Sequence, residues 1–297
     1  MQKTAFLACE TTLPDPAGNR ERRSDAFEHD LMIAALEPAF AVSGLELVVI
    51  DWEAPLEAFV GIDHALLGTS WNYQDKSDAF LQKLELLSGS GIAVHNPPEL
   101  VRWNIAKTYL KELAANGAPT IPTLWHSRVD AARAHAAMDA LGCDTLVVKR
   151  QIGAGAIGQQ LLRRGEIAAD WSFDQPAMLQ PFLPSIAHEG EFSFILIDDA
   201  LSHALTKHAK PGDYRVQSMY GGFERVHQPD RAEREAAMAV IAALPFPPPL
   251  YSRVDMVRLE DGALAVMEVE LIEPYLYPQQ GPALGERLAR ALARRIG

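Results

Sequence analysis

Three short apolar runs in the first hundred residues predict strands that are buried on both faces, as in a parallel sheet. These runs are TAFLAC (4–9), LELVVID (45–51) and HALLGTS (64–70). Between the first two runs, residues 25–40 place apolar side chains at helical spacing, which predicts an amphipathic helix. Strand, helix and strand in this order predict a small α/β domain at the start of the chain.

Polar and aromatic residues follow two of these predicted strands. Glu10 and Thr11 come directly after the first strand, and Ser70, Trp71 and Tyr73 follow the third. Ligands of α/β sheets bind beyond the carboxyl ends of the strands, so we interpret these five residues as candidate substrate contacts. The alternative is that Trp71 and Tyr73 only cover the end of the sheet.

The segment HNPPELVRWN (95–104) marks a boundary after this first domain. Asn96 can cap a helix, and Pro97 suits the first helical position. The pattern that follows predicts a helix over residues 105–116, with Lys107 and Lys111 on one side of it.

Strands and helices alternate through the rest of the chain. The predicted elements are a strand at 121–125, a helix at 131–141, strands at 145–149 and 177–183, hairpins within 192–208 and 251–270, and a C-terminal helix.

Composition excludes several classes of protein. The chain has 297 residues and a formal net charge of −12, so nucleic acid would repel it. We interpret its two basic clusters, at 20–23 and 287–295, as solvated surface. Only two cysteines occur, each in an apolar segment, which indicates buried thiols in a reducing compartment. With neither a signal-peptide core nor an apolar run of membrane-spanning length, we expect a cytoplasmic protein that binds a small molecule and no membrane.

A glycine-rich loop follows the predicted strand that ends at Lys149. Gly153, Gly155 and Gly158 lie in this loop, and glycines allow backbone amides to close over phosphate oxygens beside a lysine. The spacing does not open a Rossmann unit, and no Gly-Lys-Ser/Thr follows it. A phosphate-binding loop and a flexible surface turn both remain open interpretations.

The predicted hairpin YSRVDMVRLEDGALAVMEVE (251–270) carries charged residues within apolar strands. Strand alternation places Arg253 and Asp255 on one face, and Glu268 and Glu270 on one face of the neighbouring strand. Three carboxylates from adjacent strands form an oxygen donor set that suits Mg²⁺ rather than zinc. The alternative is a solvated sheet face on which the arginine pairs with a glutamate.

Between the loop and this hairpin lies KPGDYRVQSMYGG (210–222), which contains Arg215. A planar guanidinium can hold phosphate or carboxylate oxygens through two bonds, although a loop arginine can also lie on the surface. A lysine with a glycine loop, an arginine and a carboxylate cage are together the parts used in phosphoryl transfer.

The order of these parts resembles the ATP-grasp superfamily, in the branch of glutathione synthetase, the ribosomal-protein glutamate ligases and D-alanine–D-alanine ligase. The resemblance covers most of the chain from about residue 100 onward. Within this superfamily the chain looks most similar to the cyclo-ligases that close O-ureido-D-serine in cycloserine biosynthesis. The segments that carry this resemblance are RWNIAKTYL, LQPFLPS with a following EGE, GDYRVQ and ELIEP.

The resemblance implies an α/β ATP-grasp fold with three subdomains and the nucleotide bound between two α+β units. The implied domains are an N-terminal α/β domain at 1–100, a linker helix and lid at 101–183, and a C-terminal domain with the metal site at 184–297.

Residue by residue, the resemblance implies contacts with nucleotide, metal and the transferred group. The implied nucleotide contacts are Lys107 and Lys149 at the phosphates, Gly153, Gly155 and Gly158 in the closing loop, Gln180, Phe182 and Leu183 at the adenine hinge, Glu191 at the ribose, and Lys207 in the cleft. The implied metal ligands are Asp255, Glu268 and Glu270, and the implied catalytic residues are Arg215 and Arg253.

The chain departs from the family pattern at three positions and in one segment. Glu270 and Gln217 stand where the family has asparagine, and Pro181 stands where an acidic residue is common. A second glutamate keeps an oxygen ligand, so we expect metal binding to survive. The segment after Glu270 differs from the usual Asn-x-x-Pro-Gly ending, and Glu273 in it is a further candidate substrate residue.

The function implied is an ATP- and Mg²⁺-dependent ligase that joins a carboxylate to an amine through an acylphosphate, within or between small amino-acid-like molecules. Two Mg²⁺ ions are expected, with Mn²⁺ as a substitute, and a homodimer is an expectation from the family. A small-molecule kinase and an ATP-binding regulator without turnover are the alternatives.

Overall fold

The structure is a computed structural model that describes residues 1–15, 18–153, 155, 157–213, 215–216 and 218–297. Its first sheet contains four parallel strands in the order β2-β1-β3-β4. The strands are β1 (Gln2–Ala8), β2 (Leu45–Asp51), β3 (His64–Thr69) and β4 (Ala93–His95). The three strands predicted in this region are therefore confirmed.

Helices α1 (Ala26–Val42) and α2 (Ser77–Gly89) pack against this sheet. In α1 the buried side chains recur every three or four residues, at His29, Met32, Leu36 and Phe40. This spacing gives the helix one apolar face for the sheet and for the C-terminal helix. The helix predicted over residues 25–40 is confirmed.

The segment after the first sheet differs from its prediction. Instead of one helix over 105–116, two short helices form, α3 (Pro98–Asn104) and α4 (Tyr109–Ala115), and Lys107 lies in the turn between them. Long-range contacts explain the break. The Lys107 backbone N–H donates to the carbonyl of Gln151 over 2.7 Å, and the side-chain amide of Asn104 donates to the carbonyl of Val269 over 2.9 Å.

Asn96 does not cap a helix, because its buried side chain joins distant strands. Its backbone has a φ of 63°. Its amide donates to the carbonyls of Tyr251 and Leu271 at 2.9 and 2.7 Å, and its oxygen accepts from the N–H of Leu250. This asparagine therefore fixes the exit of the first sheet against the third sheet.

The second sheet is antiparallel and has the order β5-β10-β7-β8. Its strands are β5 (Leu124–His126), β7 (Thr145–Arg150), β8 (Gln160–Arg163) and β10 (Ala177–Pro181), and the short strands β6 (Val129–Asp130) and β9 (Ser172–Phe173) pair beside it. Helix α5 (Ala131–Leu141) packs on this sheet and ends at Gly142, whose φ of 64° suits glycine. The predicted strand at 121–125 begins three residues later than expected.

The third sheet is antiparallel and has the order β13-β12-β11-β14-β15. Its strands are β11 (Glu191–Ile197), β12 (Ala200–His208), β13 (Phe223–His227), β14 (Tyr251–Arg258) and β15 (Leu264–Glu270). Both predicted hairpins are confirmed, whereas β13 was not predicted. Helices α6 (Ser185–His188), α7 (Arg231–Ala242) and α8 (Leu284–Ile296) accompany this sheet.

Helix α8 joins the two ends of the chain. Its buried Leu284, Leu288 and Leu292 pack in one apolar cluster with side chains of α1. Gly285 allows the close approach, since a Cβ there would lie 2.1 Å from the carbonyl oxygen of Ala35.

Each sheet takes its strands from one continuous stretch of the chain, but the three domain boundaries stay a prediction. Within the described ranges, we find no helix with the length and apolar character that crossing a membrane requires.

Candidate active site

A cavity of about 350 Å³ lies where the three sheets meet. Arg23 and Trp71 line it from the first sheet, Lys149 and Gly153 from the second, and the β14–β15 hairpin from the third. Residues of the segments that follow β1 and β3 line this cavity, and ligands of α/β sheets bind on this side of the sheet.

The charged face of the β14–β15 hairpin points into the cavity. Asp255 lies directly opposite Glu268 in the strand register, and Arg253 lies opposite Glu270. All four side chains line the cavity. Alternation along each strand therefore placed each pair of groups on one face correctly, and a shift of register between Asp255 and Met256 brings the two pairs opposite each other.

These carboxylates are held by cations. Asp255 pairs with Arg253 at 2.9 Å and with Lys207 at 3.1 Å, while Glu270 also pairs with Arg253. Glu268 pairs with Lys107. Across the residues that the structure describes, no three His, Cys, Asp or Glu side chains are arranged to hold a metal ion, so the metal role of these acids stays a prediction.

Burial and neighbouring charges move the pKa values in opposite directions. Burial acts to raise the pKa of Asp255, but Arg253 and Lys207 outweigh it and hold that pKa below its usual range. Burial raises the pKa of Glu270 to about 7, although Arg253 opposes the rise. Burial, reinforced by Glu270, raises the pKa of Glu273 well above its usual value. Asp255, Glu270 and Glu273 therefore have fewer cationic partners than are needed to keep all three carboxylates ionised.

The donor set fits a divalent cation. Eight of the described cavity-lining residues are Asp or Glu and six are Lys or Arg, so the site carries more potential negative than positive charge. Carboxylate oxygens are the ligands that Mg²⁺ prefers, and a bound cation would offset the excess that protons otherwise neutralise.

The predicted phosphate-binding lysines reach the same cavity. Lys149, at the end of β7, and Lys107 both line it, and burial lowers the pKa of Lys149. The Lys107 ammonium also donates to the carbonyl of Gly153 over 2.7 Å, which ties the glycine loop to this lysine. Gly155 lines the cavity.

Other predicted nucleotide residues are split between the cavity and its surroundings. Lys207 and Glu191 line the cavity as a buried ion pair. Burial acts to lower the pKa of Lys207, but Asp255 and Glu191 raise it above its ordinary value. In the described portion of the structure, Gly158 is not a lining residue. It packs near the Arg150 side chain, because a Cβ added at Gly158 would lie 3.3 Å from Cδ of Arg150.

The predicted adenine hinge lies behind the cavity, and none of its three residues belongs to the described lining. The Gln180 side chain donates to the hydroxyl of Thr123 over 3.0 Å, and the N–H of Phe182 donates to the carbonyl of Thr145. Leu183 packs in a small apolar cluster.

Arg215 is held locally. Its guanidinium pairs with Asp213 at 2.8 Å and stacks over the ring of Tyr220, 3.8 Å from the centroid. Arg215 is not among the described cavity-lining residues, whereas Ser218 of the same segment is. Gln217, which stands for the family asparagine, lies outside the described residues.

The candidate substrate residues also divide. Trp71 lines the cavity and donates from Nε1 to the carbonyl of Glu273 over 3.0 Å. Tyr73 is buried beside Glu273 in a small adjoining cavity of about 20 Å³, which is room for about one water.

The other three candidates have local partners. Glu10 pairs with Arg20 at 2.7 Å on the exposed side of the loop after β1, and the hydroxyl of Ser70 donates to the carbonyl of Leu7. The Thr11 hydroxyl lies 3.4 Å from the thiol of Cys9. Among the described residues, these three do not line the cavity.

The chain is similar to known proteins over most of its length. A family model described as the N-terminal domain of D-cycloserine synthetase DcsG matches residues 4–96. The cycloserine biosynthesis protein DcsG of Streptomyces lavendulae is 30% identical over 272 residues, which cover 85% of this chain and 90% of that protein. The chain belongs to the DcsG family.

Solved structures agree with this assignment. The crystal structure of D-cycloserine synthetase DcsG matches with a TM-score of 0.83 and 26% identity, over 99% of this chain and 100% of that one. D-alanine–D-alanine ligase from Bacillus anthracis matches with a TM-score of 0.67 and 17% identity, over 100% of both chains. The ATP-grasp ligase PsnB, complexed with its minimal precursor, matches with a TM-score of 0.66 and 16% identity, over 100% and 99%. The predicted ATP-grasp fold and the predicted ATP-dependent carboxylate–amine ligase are confirmed.

In this DcsG-family chain, sequence reasoning missed three cavity residues that precede or begin α1, namely Arg23, Asp25 and Glu28. Arg23 belongs to the cluster 20–23, which was predicted to be solvated surface, and that prediction is wrong for Arg23 because it lines the cavity. Burial raises the pKa of Glu28 to about 7, although the hydroxyl of Ser218 donates to its carboxylate over 2.8 Å. The available signal was position, because the loop after β1 ends in the same crevice as Trp71.

Proposed function

We propose that the chain uses ATP to activate a carboxylate of a small amino-acid-like substrate and joins it to an amine of the same molecule. One observation carries the proposal. Charged side chains at facing positions of β14 and β15 line a cavity that Lys107, Lys149 and the glycine loop also line. Similarity to a D-cycloserine synthetase supports ring closure, and O-ureido-D-serine is the substrate that the sequence resemblance implies.

In this proposal the nucleotide lies between the second and third sheets. Lys107 and Lys149 bind the phosphates, Lys207 and Glu191 line the nucleotide cleft, and Gly153, Gly155 and Gly158 close over the phosphates. Gln180, Phe182 and Leu183 form the adenine hinge, whose backbone groups become accessible if the second sheet swings away from the third.

Asp255, Glu268 and Glu270 are the proposed metal ligands. Bound Mg²⁺ would neutralise phosphate charge; we propose two ions, with Mn²⁺ as a substitute. Glu268 is now paired with Lys107, so nucleotide binding would let the lysine move to phosphate while the carboxylate turns to the cation.

The reaction has two balanced steps. A carboxylate oxygen of the substrate attacks the γ-phosphorus and ADP leaves, which gives an acylphosphate. A nitrogen of the same molecule then attacks the acyl carbon, inorganic phosphate leaves, and that nitrogen loses a proton. In O-ureido-D-serine this is the ureido nitrogen bonded to oxygen, because the α-amine would close a three-membered ring. Arg253 and Arg215 stabilise the negative charge that develops in both steps, and Arg215 must first move from Asp213.

The substrate is proposed to lie toward the first sheet. Trp71, Tyr73 and Glu273 are the proposed substrate contacts, which is supported by their positions: Trp71 and Glu273 line the cavity and Tyr73 adjoins it. Glu10, Thr11 and Ser70 shape the loops behind these residues. Homodimerisation and a cytoplasmic location stay predictions from the sequence.

The decisive experiment incubates the protein with Mg-ATP and a panel that includes O-ureido-D-serine, D-alanine and other amino acids. ADP, inorganic phosphate and product mass are then measured. The proposal expects all three to rise together with O-ureido-D-serine. ADP with a stable phosphorylated product would identify a kinase, and absence of ADP with every acceptor would identify a regulator.

A further inference from the structure

Arg23 is held on two sides, which leaves one edge of its guanidinium without a partner among the described residues. Its Nε and Nη2 donate to the two carboxylate oxygens of Asp25 over 2.7 and 2.8 Å. Its Cζ lies 5.2 Å from the centroid of the Trp71 ring. Within the described part of the chain, its Nη1 makes no hydrogen bond, and the residue lines the cavity.

From this geometry we infer that Arg23 is a substrate-binding residue that determines specificity. Its free edge donates to an uncharged carbonyl oxygen, as in an amide, on the part of the substrate that lies against the first sheet. The inference deepens the proposed function and rests on it, since it concerns the substrate of the same site.

The preference for an uncharged oxygen follows from the charges around Arg23. Asp25 already offsets the positive charge of the guanidinium through two bonds. A substrate carboxylate at this position would meet an ion pair whose net charge is already zero, whereas a carbonyl oxygen needs only a donor.

Arg23 is also preorganised for this role. Arginine loses much side-chain freedom when it binds a ligand, which costs affinity. Here Asp25 and Trp71 have already fixed the side chain, and a planar guanidinium can hold Asp25 while it still presents another N–H edge. Lysine, with a single ammonium group, cannot hold Asp25 in this way and also present a second N–H edge.

The test measures binding of asparagine and aspartate, in both enantiomers, by calorimetry with Mg²⁺ and a non-hydrolysable ATP analogue present. The wild-type protein should bind one enantiomer of asparagine more tightly than the corresponding aspartate. Arg23→Gln and Arg23→Lys should weaken asparagine binding by about tenfold to a hundredfold, the usual cost of losing a charged hydrogen bond. Affinity for the nucleotide should stay unchanged.

The matched control is Arg20→Gln. Arg20 lies in the same loop, pairs with Glu10 and is outside the described cavity lining, so this variant should bind asparagine as the wild type does. Tighter binding of aspartate, binding of neither amino acid, or undiminished asparagine binding by Arg23→Gln would each overturn the inference. If any of these results occurs while the wild type still turns over ATP with O-ureido-D-serine, only the inference fails. No ATP turnover with any acceptor would instead remove the proposed function.

Discussion

Lys107 and Glu268 form an ion pair that joins the turn after α3 to strand β15. The same ammonium donates to the carbonyl of Gly153 over 2.7 Å. One lysine therefore connects the glycine loop to a proposed metal ligand, and both contacts have to change when phosphates and a cation enter the cavity.

The first prediction concerns this exchange. Glu268→Gln keeps the size of the side chain but removes the charge that attracts a hard cation. We expect the Mg²⁺ concentration for half-maximal ATP turnover to rise at least about tenfold, as typically follows weakening of a metal site. A magnesium titration of the steady-state rate measures it. Glu260→Gln, in the exposed turn of the same hairpin, is the control, and an unchanged titration in Glu268→Gln would contradict the metal role.

The second prediction concerns the buried ion pair of Lys207 with Glu191 and Asp255, in which all three side chains are at most 8% exposed. Lys207→Met leaves Glu191 buried without its cation. Breaking a buried pair in this way typically costs about 3–5 kcal/mol in the free energy of unfolding. Urea unfolding of the variant measures the loss.

A second substitution provides the control for this pair. Glu191→Gln added to Lys207→Met removes the uncompensated charge, so the double variant should recover part of the lost stability. If the double variant is less stable than Lys207→Met by the full effect of Glu191→Gln alone, the two residues do not interact and the assignment is wrong.

The sequence was most informative where contacts are local. Arg253 and Asp255 were placed on one face, and Glu268 and Glu270 on one face of the neighbouring strand, because side chains alternate along a strand. The pairing of Asp255 with Glu268 was not predicted, since it depends on a shift of register between Asp255 and Met256. The parallel strands were found for a similar reason, since strands buried on both faces appear as continuous apolar runs.

The sequence failed where distant contacts decide the conformation. Lys107 has a helical pattern around it, but hydrogen bonds from this segment to Gln151 and Val269 break the helix there. Arg23 looks like one charge in a surface cluster, and only the meeting of the loop after β1 with Trp71 brings it to the cavity. Neither partner is near in sequence, so no local pattern could identify them.

The third prediction tests the contact between α8 and α1. Replacing a helical glycine by alanine normally stabilises a helix by up to about 1 kcal/mol. At Gly285 the new Cβ would lie 2.1 Å from the carbonyl oxygen of Ala35, so the helices must separate, and overpacking of this kind costs about 1–3 kcal/mol. We therefore expect Gly285→Ala to lower the free energy of unfolding.

Gly89→Ala is the matched control for Gly285→Ala. Gly89 ends α2, and a Cβ there would have nothing within 4 Å. This variant should be as stable as the wild type or slightly more stable in a chemical denaturation experiment. Equal effects of the two substitutions would show that helix packing does not distinguish the two sites.

The last prediction concerns the dependence of stability on pH. His29 is buried in α1, with its Nδ1 2.7 Å from the hydroxyl of Thr69, and burial lowers its pKa to about 4. In the unfolded chain an ordinary histidine has a pKa of about 6.5. Between these values the unfolded state binds a proton that the native state does not bind. The contribution of His29 is therefore complete above about pH 6.5 and is lost as the pH falls toward 4.

Other buried histidines add to this slope, so the test is a difference between variants. His29→Gln should reduce the pH dependence of the free energy of unfolding between about pH 6 and 4.5 by up to about 1.4 kcal/mol per pH unit, the amount for one proton. Urea unfolding at several pH values measures it, with His188→Gln, at an exposed position, as the control. A slope in His29→Gln equal to that of the wild type would mean that His29 takes up its proton in the native state as readily as in the unfolded chain.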